Sequence, residues 1–413
     1  MIQRSAKQPL QGSTASFACP EHELLVCICR GPIDVTNGDR ISVLISNEIN
    51  WEELLNLATQ HRLTALIYRN CTRFFPNTLP LAIMERLQIS YCRNGLNVLR
   101  LGNELVKLQC QFAAAGINAL PYKGPAMAQQ IYGELGVRMA GDLDIVVRDR
   151  DVMGAVDVLK SVGYKPKNGT LSYLNRALSE GDRHVSRVDD VSHHGISWCF
   201  PQQHHPEHEW YHYQFKHSNG IWVELHWNIA ERSIPIAANI NSIWERLETH
   251  HFLGNEVLAF SVEDLIIVLC VHWARHRWKL LILGCDILEL IVTHPDLDWN
   301  RLIASAKRMG CDKYVLCGVA LVVQLFGISL INDRDLKPDF GMNTFVKSTC
   351  NNYFTISAVP TPFLRECSVQ FLLNERLPDR LSKIFLLLGR RIASLRADFL
   401  RSHSVKRESP SSP

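Results

Sequence analysis

The sequence predicts an α+β chain in which a small strand-and-helix unit is set between two mainly helical regions. Three observations predict it. The apolar period is helical from about residue 20 to 115. At 117 the texture changes to short strand and helix candidates, and from about 235 to 400 the helical period returns. No repeat of fixed period interrupts this layout.

Taken in order, residues 1–16 and 401–413 are polar and rich in Ser, Pro and basic side chains, the composition of disordered ends. In "NWEELLNLATQHRLTALIYRN", Asn50 is a candidate N-cap with Glu53 three residues on, the capping-box spacing. Leu54, Leu57 and Ala58 then form one stripe. The run "NGLNVLRLGNELVKLQCQFAAAG" repeats the helical pattern and stops at Gly116, a C-terminal glycine. "INALPY" reads as a short strand, although Pro121 argues against a central one. "PAMAQQIYGEL" is a helix with Pro125 at its first position, "DLDIVV" a strand, and "DRDVMGAVDVLKSVGY" a helix closing at Gly163. After a long His-rich passage, "IWVELHWNI" (221–229) alternates strictly and reads as a further strand.

A chain of 413 residues has room for two or three domains of ~150 residues. Apolar residues make up 46% and charged residues 21%, ordinary for a globular protein, and the net charge is +3. So even a balance argues against a wholesale polyanion binder, and with it against nucleic acid as the partner. The 13 cysteines show no C-x-x-C pair, which points to a reduced, cytoplasmic chain. The N-terminus has no apolar h-region, so no secretory signal is expected. "YVLCGVALVVQLFGISLI" (314–331) is nearly long and apolar enough to span a membrane. Gln324 and two glycines favour a buried helix instead, so membrane insertion is not expected.

Three stretches carry chemistry. In a strand, residues i and i+2 share a face, so Asp142 and Asp144 project together while Leu143, Ile145 and Val147 face a core. Adjacent carboxylates repel unless a cation sits between them, and hard oxygens at this spacing suit Mg²⁺ or Mn²⁺. The same residues also fit an ordinary solvent-facing strand. Lys123 and Gly124 fall at a strand-to-helix turn, where free backbone N–H groups and a positive dipole end can seat phosphate. A tight turn with an exposed lysine is the other reading. In "IWVELHWNI", Trp222, Glu224, His226 and Asn228 share a face, and Glu224 offers a third ligand or a base. Here too a plain exposed face is open.

Weaker signals lie elsewhere. His193, His194, His204, His205, His208, His212 and His217 crowd one passage that suits an active-site cover better than a zinc site. His272 and His276 sit at i,i+4 among Arg275, Arg277 and Lys279, without the Glu of H-E-x-x-H. They suit either a contact to nucleotide or acceptor, or a helix packing Trp273 and Trp278 inward. Asp286 is a candidate partner for one of these cations. The basic amphipathic "RLSKIFLLLGRRIASLRADFLRS" fits a helix docked on the core or, less simply, an anionic membrane surface.

The order strand, phosphate turn, helix, D-x-D strand, helix, strand with one acid resembles the DNA polymerase β-type nucleotidyltransferases. More closely, "LPYKGPAMAQQIYGELGVRMAGDLDIVV" with "VELHW" resembles a bacterial family of uncharacterised nucleotidyltransferases. The likeness extends to "LLVCICR", "LATQHRLTALIY", "HWARHRW" and "LDWNRLIASAKRMG", and so covers about residues 20 to 330. Departures are Lys-Gly-Pro at the turn, where the superfamily has Gly-Gly or Gly-Ser, and a longer interval from Gly124 to Asp142.

The resemblance implies a mixed-sheet nucleotidyltransferase core at 116–234 with a His-rich insertion at 165–220. This core is flanked by helical regions at 17–115 and 235–400. It implies Asp142, Asp144 and Glu224 as catalytic metal ligands for Mg²⁺ or Mn²⁺. Lys123, Gly124, Arg138 and Gly141 would bind the phosphates, with His226, His272 and His276 behind them. The implied activity moves a nucleoside monophosphate from an NTP to a hydroxyl or amine, releasing pyrophosphate. A small-molecule, peptide or glycan-related acceptor is expected. The alternative is a non-catalytic nucleotide-binding or scaffold protein built on a degenerate version of the fold.

Overall fold

The computed structural model describes residues 17–31, 35–167, 212–230, 236, 240–330 and 339–354. A five-stranded mixed sheet lies at its centre. Its strands are β1 (Ala119–Pro121), β2 (Leu143–Val147), β3 (Lys165–Pro166), β4 (His212–Lys216) and β5 (Trp222–His226), in the order β1-β2-β5-β4-β3. Only β2 and β5 are parallel neighbours; the other pairs are antiparallel. A second, two-stranded sheet pairs β6 (Glu248–Phe252) with β7 (Asn255–Ala259). With helices before, between and after the strands, the chain is α+β. β1 is an edge strand, and this is how Pro121 is accommodated: its missing N–H deprives no outer neighbour.

The sheet separates two apolar layers. Leu143, Ile145, Val147, Phe215, Val223 and Leu225 face one way. They pack on Val152, Ala155, Val156 and Leu159 of the helix Val152–Ser161 and on Leu101, Leu105, Leu108 and Phe112 of the helix Leu81–Ala114. At ~1.5–3 kcal/mol for each fully buried side chain of this size, that layer anchors β2 and β5 in register. The opposite face contributes Leu120, Tyr122 and Val146 to a larger core.

That larger core joins regions far apart in the sequence. Leu24, Leu25, Leu54 and Leu66 from the early helices share it with Leu265, Leu283, Val315 and Val322 from the late ones. The helices Val262–Arg275 and Asp312–Phe326 are buried along most of their length, which explains why their sequences are apolar nearly all round. The apolar stretch 314–331 falls mostly in the second of these. Among the described residues no helix is long and apolar enough to cross a membrane.

Local sequence rules hold at the termini. Asn50 Oδ1 accepts from the Glu53 N–H at 3.1 Å, as its spacing predicts. The return half of the box comes from elsewhere, because Asn50 N–H donates to Glu21 Oε1 at 2.7 Å. Pro125 opens the helix Pro125–Tyr132, and Gly163 follows the helix Val152–Ser161 with φ +92°. The β6–β7 hairpin lies where the sequence shows only a helical period. Its turn is Leu253-Gly254 with both φ positive (46° and 76°), a geometry whose usual Asn-Gly signature is missing. Most of the His-rich passage, the segment 380–402 and both chain ends lie outside the described residues.

Candidate active site

The site is built on the one parallel strand pair. Asp144 of β2 stands in register with Glu224 of β5, and β4 adds Gln214 opposite Glu224 and His212 opposite His226. Side chains at these positions share the sheet face opposite Leu143, Ile145, Val223 and Leu225. Asp144 Oδ1 accepts from Lys123 Nζ at 2.8 Å and lies 2.9 Å from His226 Nε2. Glu224 Oε2 is 3.5 Å from the same imidazole nitrogen, while Glu224 Oε1 accepts from Gln214 Nε2 at 2.7 Å. Ligand atoms of Asp144, Glu224 and His226 all lie within 4.8 Å of one another. Asp142 sits just before β2, half-buried, and is not a member of that tight trio.

Burial and like charge set the electrostatics of this group. Burial pushes the Asp142 carboxyl up to about 6, with the charges of Asp144 and Glu224 adding to the effect. Burial also opposes ionisation of Asp144, but the Lys123 ammonium and the hydrogen-bonded His226 ring hold its pKa well below the ordinary value. For Glu224, burial is likewise outweighed, by the hydrogen bonds from His226 and Gln214. Three carboxylates thus gather here, with the Lys123 and Arg62 charges opposing the rise at Asp142. The donor set, carboxylate oxygens with one imidazole, fits a hard divalent cation.

Lys123 and Gly124 form the turn between β1 and the helix Pro125–Tyr132. Lys123 lies over the Tyr122 ring, 4.5 Å from its centroid, and reaches Asp144, so the lysine predicted for phosphate is paired with a carboxylate here. Tyr122 is fixed at both ends: its N–H donates to the Asp144 carbonyl and its hydroxyl to the Ile229 carbonyl, each at 2.9 Å. Gly124 has φ +74°, and a Cβ there would stand 3.3 Å from the Asp142 carbonyl oxygen. The turn is therefore packed directly against the loop that carries Asp142.

Arg138, to which the resemblance gives a phosphate role, is held by Asp286. Its Nε donates to Asp286 Oδ2 at 2.9 Å, and the Tyr132 hydroxyl donates to Asp286 Oδ1 at 2.8 Å. Arg138 is 9% exposed and Asp286 fully buried. Asp286, read from the sequence as a partner for the cations at 272–279, is thus bound to Arg138. Asn94 and Asn97 of the long helix donate to the carbonyls of Gly136 and Ala140, each at 2.8 Å. These contacts clamp residues 136–140 just ahead of Gly141, which is exposed, and Asp142.

His272 and His276 face each other at 4.7 Å, and His272 lies 6.5 Å from the Tyr122 ring. Burial, and then the Lys123 charge, keep His272 well below its ordinary pKa. Trp273 and Trp278 are buried, as the packing reading of that stretch supposes. Gln214, Asn94, Asn97 and Tyr122 were not singled out from the sequence. Only Gln214 left a signal, the alternation of "HYQFK", in which buried Phe215 is flanked by polar neighbours.

The chain matches the model of a family described as uncharacterised nucleotidyltransferase over residues 47–327, and it belongs to that family. No curated protein and no solved structure matches it.

Proposed function

We propose that this enzyme is a divalent-metal-dependent nucleotidyltransferase of the DNA polymerase β type. It would move a nucleoside monophosphate from an NTP to an acceptor hydroxyl or amine with release of pyrophosphate. The observation that carries the proposal is the Asp144–Glu224 register on parallel strands, with His226 Nε2 2.9 Å from Asp144 and 3.5 Å from Glu224 to hold both. The raised Asp142 carboxyl beside it adds a demand for positive charge.

Asp142, Asp144 and Glu224 would hold Mg²⁺ or Mn²⁺, with His226 fixing Asp144 and Glu224 from behind. The ion would neutralise charge on the α-phosphate and the leaving pyrophosphate. In the transfer, the acceptor oxygen or nitrogen forms a bond to the α-phosphorus. The bond from that phosphorus to the bridging oxygen breaks, and pyrophosphate leaves with the electron pair. Gln214 holds one oxygen of Glu224 and His226 lies 3.5 Å from the other, and the acceptor proton leaves to solvent. The Gly124 turn would bring the α-phosphate close to the backbone, and Lys123, paired with Asp144, would offer its ammonium there. The resemblance supports a small-molecule, peptide or glycan-related acceptor in a bacterial cytoplasm, and eleven free cysteines among the described residues support a reducing compartment.

The test is pyrophosphate release by purified chain from each NTP with Mg²⁺ or Mn²⁺ and a panel of acceptors. Asp142→Ala and Asp144→Ala are expected to abolish it. A wild type that binds NTP with no turnover against any acceptor would favour the non-catalytic reading. Turnover undiminished in Asp144→Ala would remove the site from the reaction.

A further inference from the structure

Among the described residues, six helix ends close with the same hydrogen bond, from a residue just past the helix back to a carbonyl five positions earlier. Ile117 N–H donates to Phe112 O, Tyr164 to Leu159, Cys311 to Ala306, Ile328 to Val323, Leu63 to Ala58 and Trp278 to Trp273. This closure places the intervening residue at positive φ, where glycine is favoured because it has no Cβ. Four of the six obey: Gly116, Gly163, Gly310 and Gly327, with φ of 71°, 92°, 65° and 61°. The other two carry arginine, Arg62 at 60° and Arg277 at 55°. Both exceptions read His-Arg-apolar, His61-Arg62-Leu63 and His276-Arg277-Trp278, with Leu63 and Trp278 buried.

The two exceptions are also neighbours. The Leu281 N–H, just past the second closure, points at His61 Nδ1 in the first at 3.4 Å. Behind the second closure a chain of contacts leads to the carboxylates: His276 to His272 at 4.7 Å, His272 to Tyr122 at 6.5 Å, and Lys123 between the Tyr122 ring and Asp144. Arg62 lies near enough to Asp142 for its charge to counter the rise in that carboxyl, which burial chiefly causes. It also acts on His276, whose pKa is depressed first by desolvation and then by Arg275, Lys123 and Arg62. Arg275 further hydrogen-bonds the Tyr122 side chain. Arg62 and Arg277 are exposed. A left-handed backbone at an exposed arginine is a strained choice, and strain of this kind concentrates at ligand sites.

We infer that Arg62, with Arg275 and Arg277 beside it, forms an arch over the carboxylate cluster that binds the β- and γ-phosphates of the incoming nucleotide. The inference rests on the nucleotidyltransferase reading for the identity of the ligand, but the arch itself is a polyphosphate site. Guanidinium forks match phosphate oxygens in pairs, and two rigid helix closures hold them without the entropy loss of ordering a loop. Placing these cations on the helical shell leaves the Gly124 turn and the metal ligands to the α-phosphate.

The test titrates the full chain calorimetrically with inorganic tripolyphosphate and with nucleoside monophosphates, each with Mg²⁺ and with EDTA. Wild type, Arg62→Gly and Arg277→Gly are compared. Glycine removes the charge and relieves the backbone, so neither variant should unfold at a lower temperature than wild type. Each variant is expected to bind tripolyphosphate about tenfold more weakly, the size of one lost charged hydrogen bond, with monophosphate binding within about twofold of wild type. Unchanged tripolyphosphate binding in Arg62→Gly would overturn the inference, and so would an equal loss of both ligands. Tripolyphosphate binding that depends on Arg62 but not on Mg²⁺, in a chain that releases no pyrophosphate, would keep the arch and remove the catalytic reading. A wild type that binds no tripolyphosphate overturns both.

Discussion

Replacing Asp142 by asparagine should make the metal-free protein more stable while removing its response to metal. The folded protein raises the Asp142 carboxyl from 3.8 to about 6, through burial first and then the Asp144 and Glu224 charges. Two units at ~1.4 kcal/mol each give ~3 kcal/mol, and partial exposure to water reduces this to ~1–2 kcal/mol. The sign follows from the direction of the shift. A folded pKa above the unfolded one means the favourable contribution is fully present below about 3.8 and is lost as pH rises through about 6. Above that pH the folded chain holds a carboxylate in a place that disfavours it. In EDTA at pH 8, Asp142→Asn should therefore raise the unfolding free energy by ~1–2 kcal/mol. Near pH 4, where wild-type Asp142 is largely protonated, the difference should shrink toward zero. Urea unfolding followed by tryptophan fluorescence at both pH values measures it, and added Mg²⁺ or Mn²⁺ should stabilise wild type alone. An asparagine variant less stable at pH 8, or a difference that ignores pH, would refute the claim that burial and like charge disfavour the ionised Asp142.

Two further outcomes test the frame around the site. Asp286→Asn should destabilise the protein by ~3–5 kcal/mol, because it strands the buried Arg138 guanidinium, and the Asp286→Leu/Arg138→Met pair should recover much of the loss. Urea midpoints decide it, and a single-variant loss under ~1 kcal/mol would show that the pair contributes little. Gly124→Ala should cost ~1–3 kcal/mol, since alanine must adopt φ +74° with its Cβ 3.3 Å from the Asp142 carbonyl. An alanine variant as stable as wild type would mean that the turn and the Asp142 loop are not packed as described.

The features legible in advance were local ones. Asn50 capping the Glu53 N–H, Pro125 opening a helix and Gly163 ending one each depend on residues within four positions of one another. The alternation in "DLDIVV" and "VELHW" placed the acids and the core residues on opposite faces, because the strand period is fixed by the backbone. The strand β4 and the β6–β7 hairpin were harder to see. Their strands are short and mostly polar, and the Leu253-Gly254 turn lacks the usual residue at its first position.

The sequence by itself determined the class of fold and the segment that carries the paired aspartates, which follow from short-range periodicity and from the chemistry of residue types. Glu224 as the acid that answers them is what the family resemblance implies. Only the tertiary structure decided which partner each charge takes. Lys123 meets Asp144 across 21 positions, His226 meets Asp144 across 82, and Arg138 meets Asp286 across 148. A buried charge accepts whichever counter-charge the packing of distant helices brings within ~3 Å, and no periodicity in the chain records that choice.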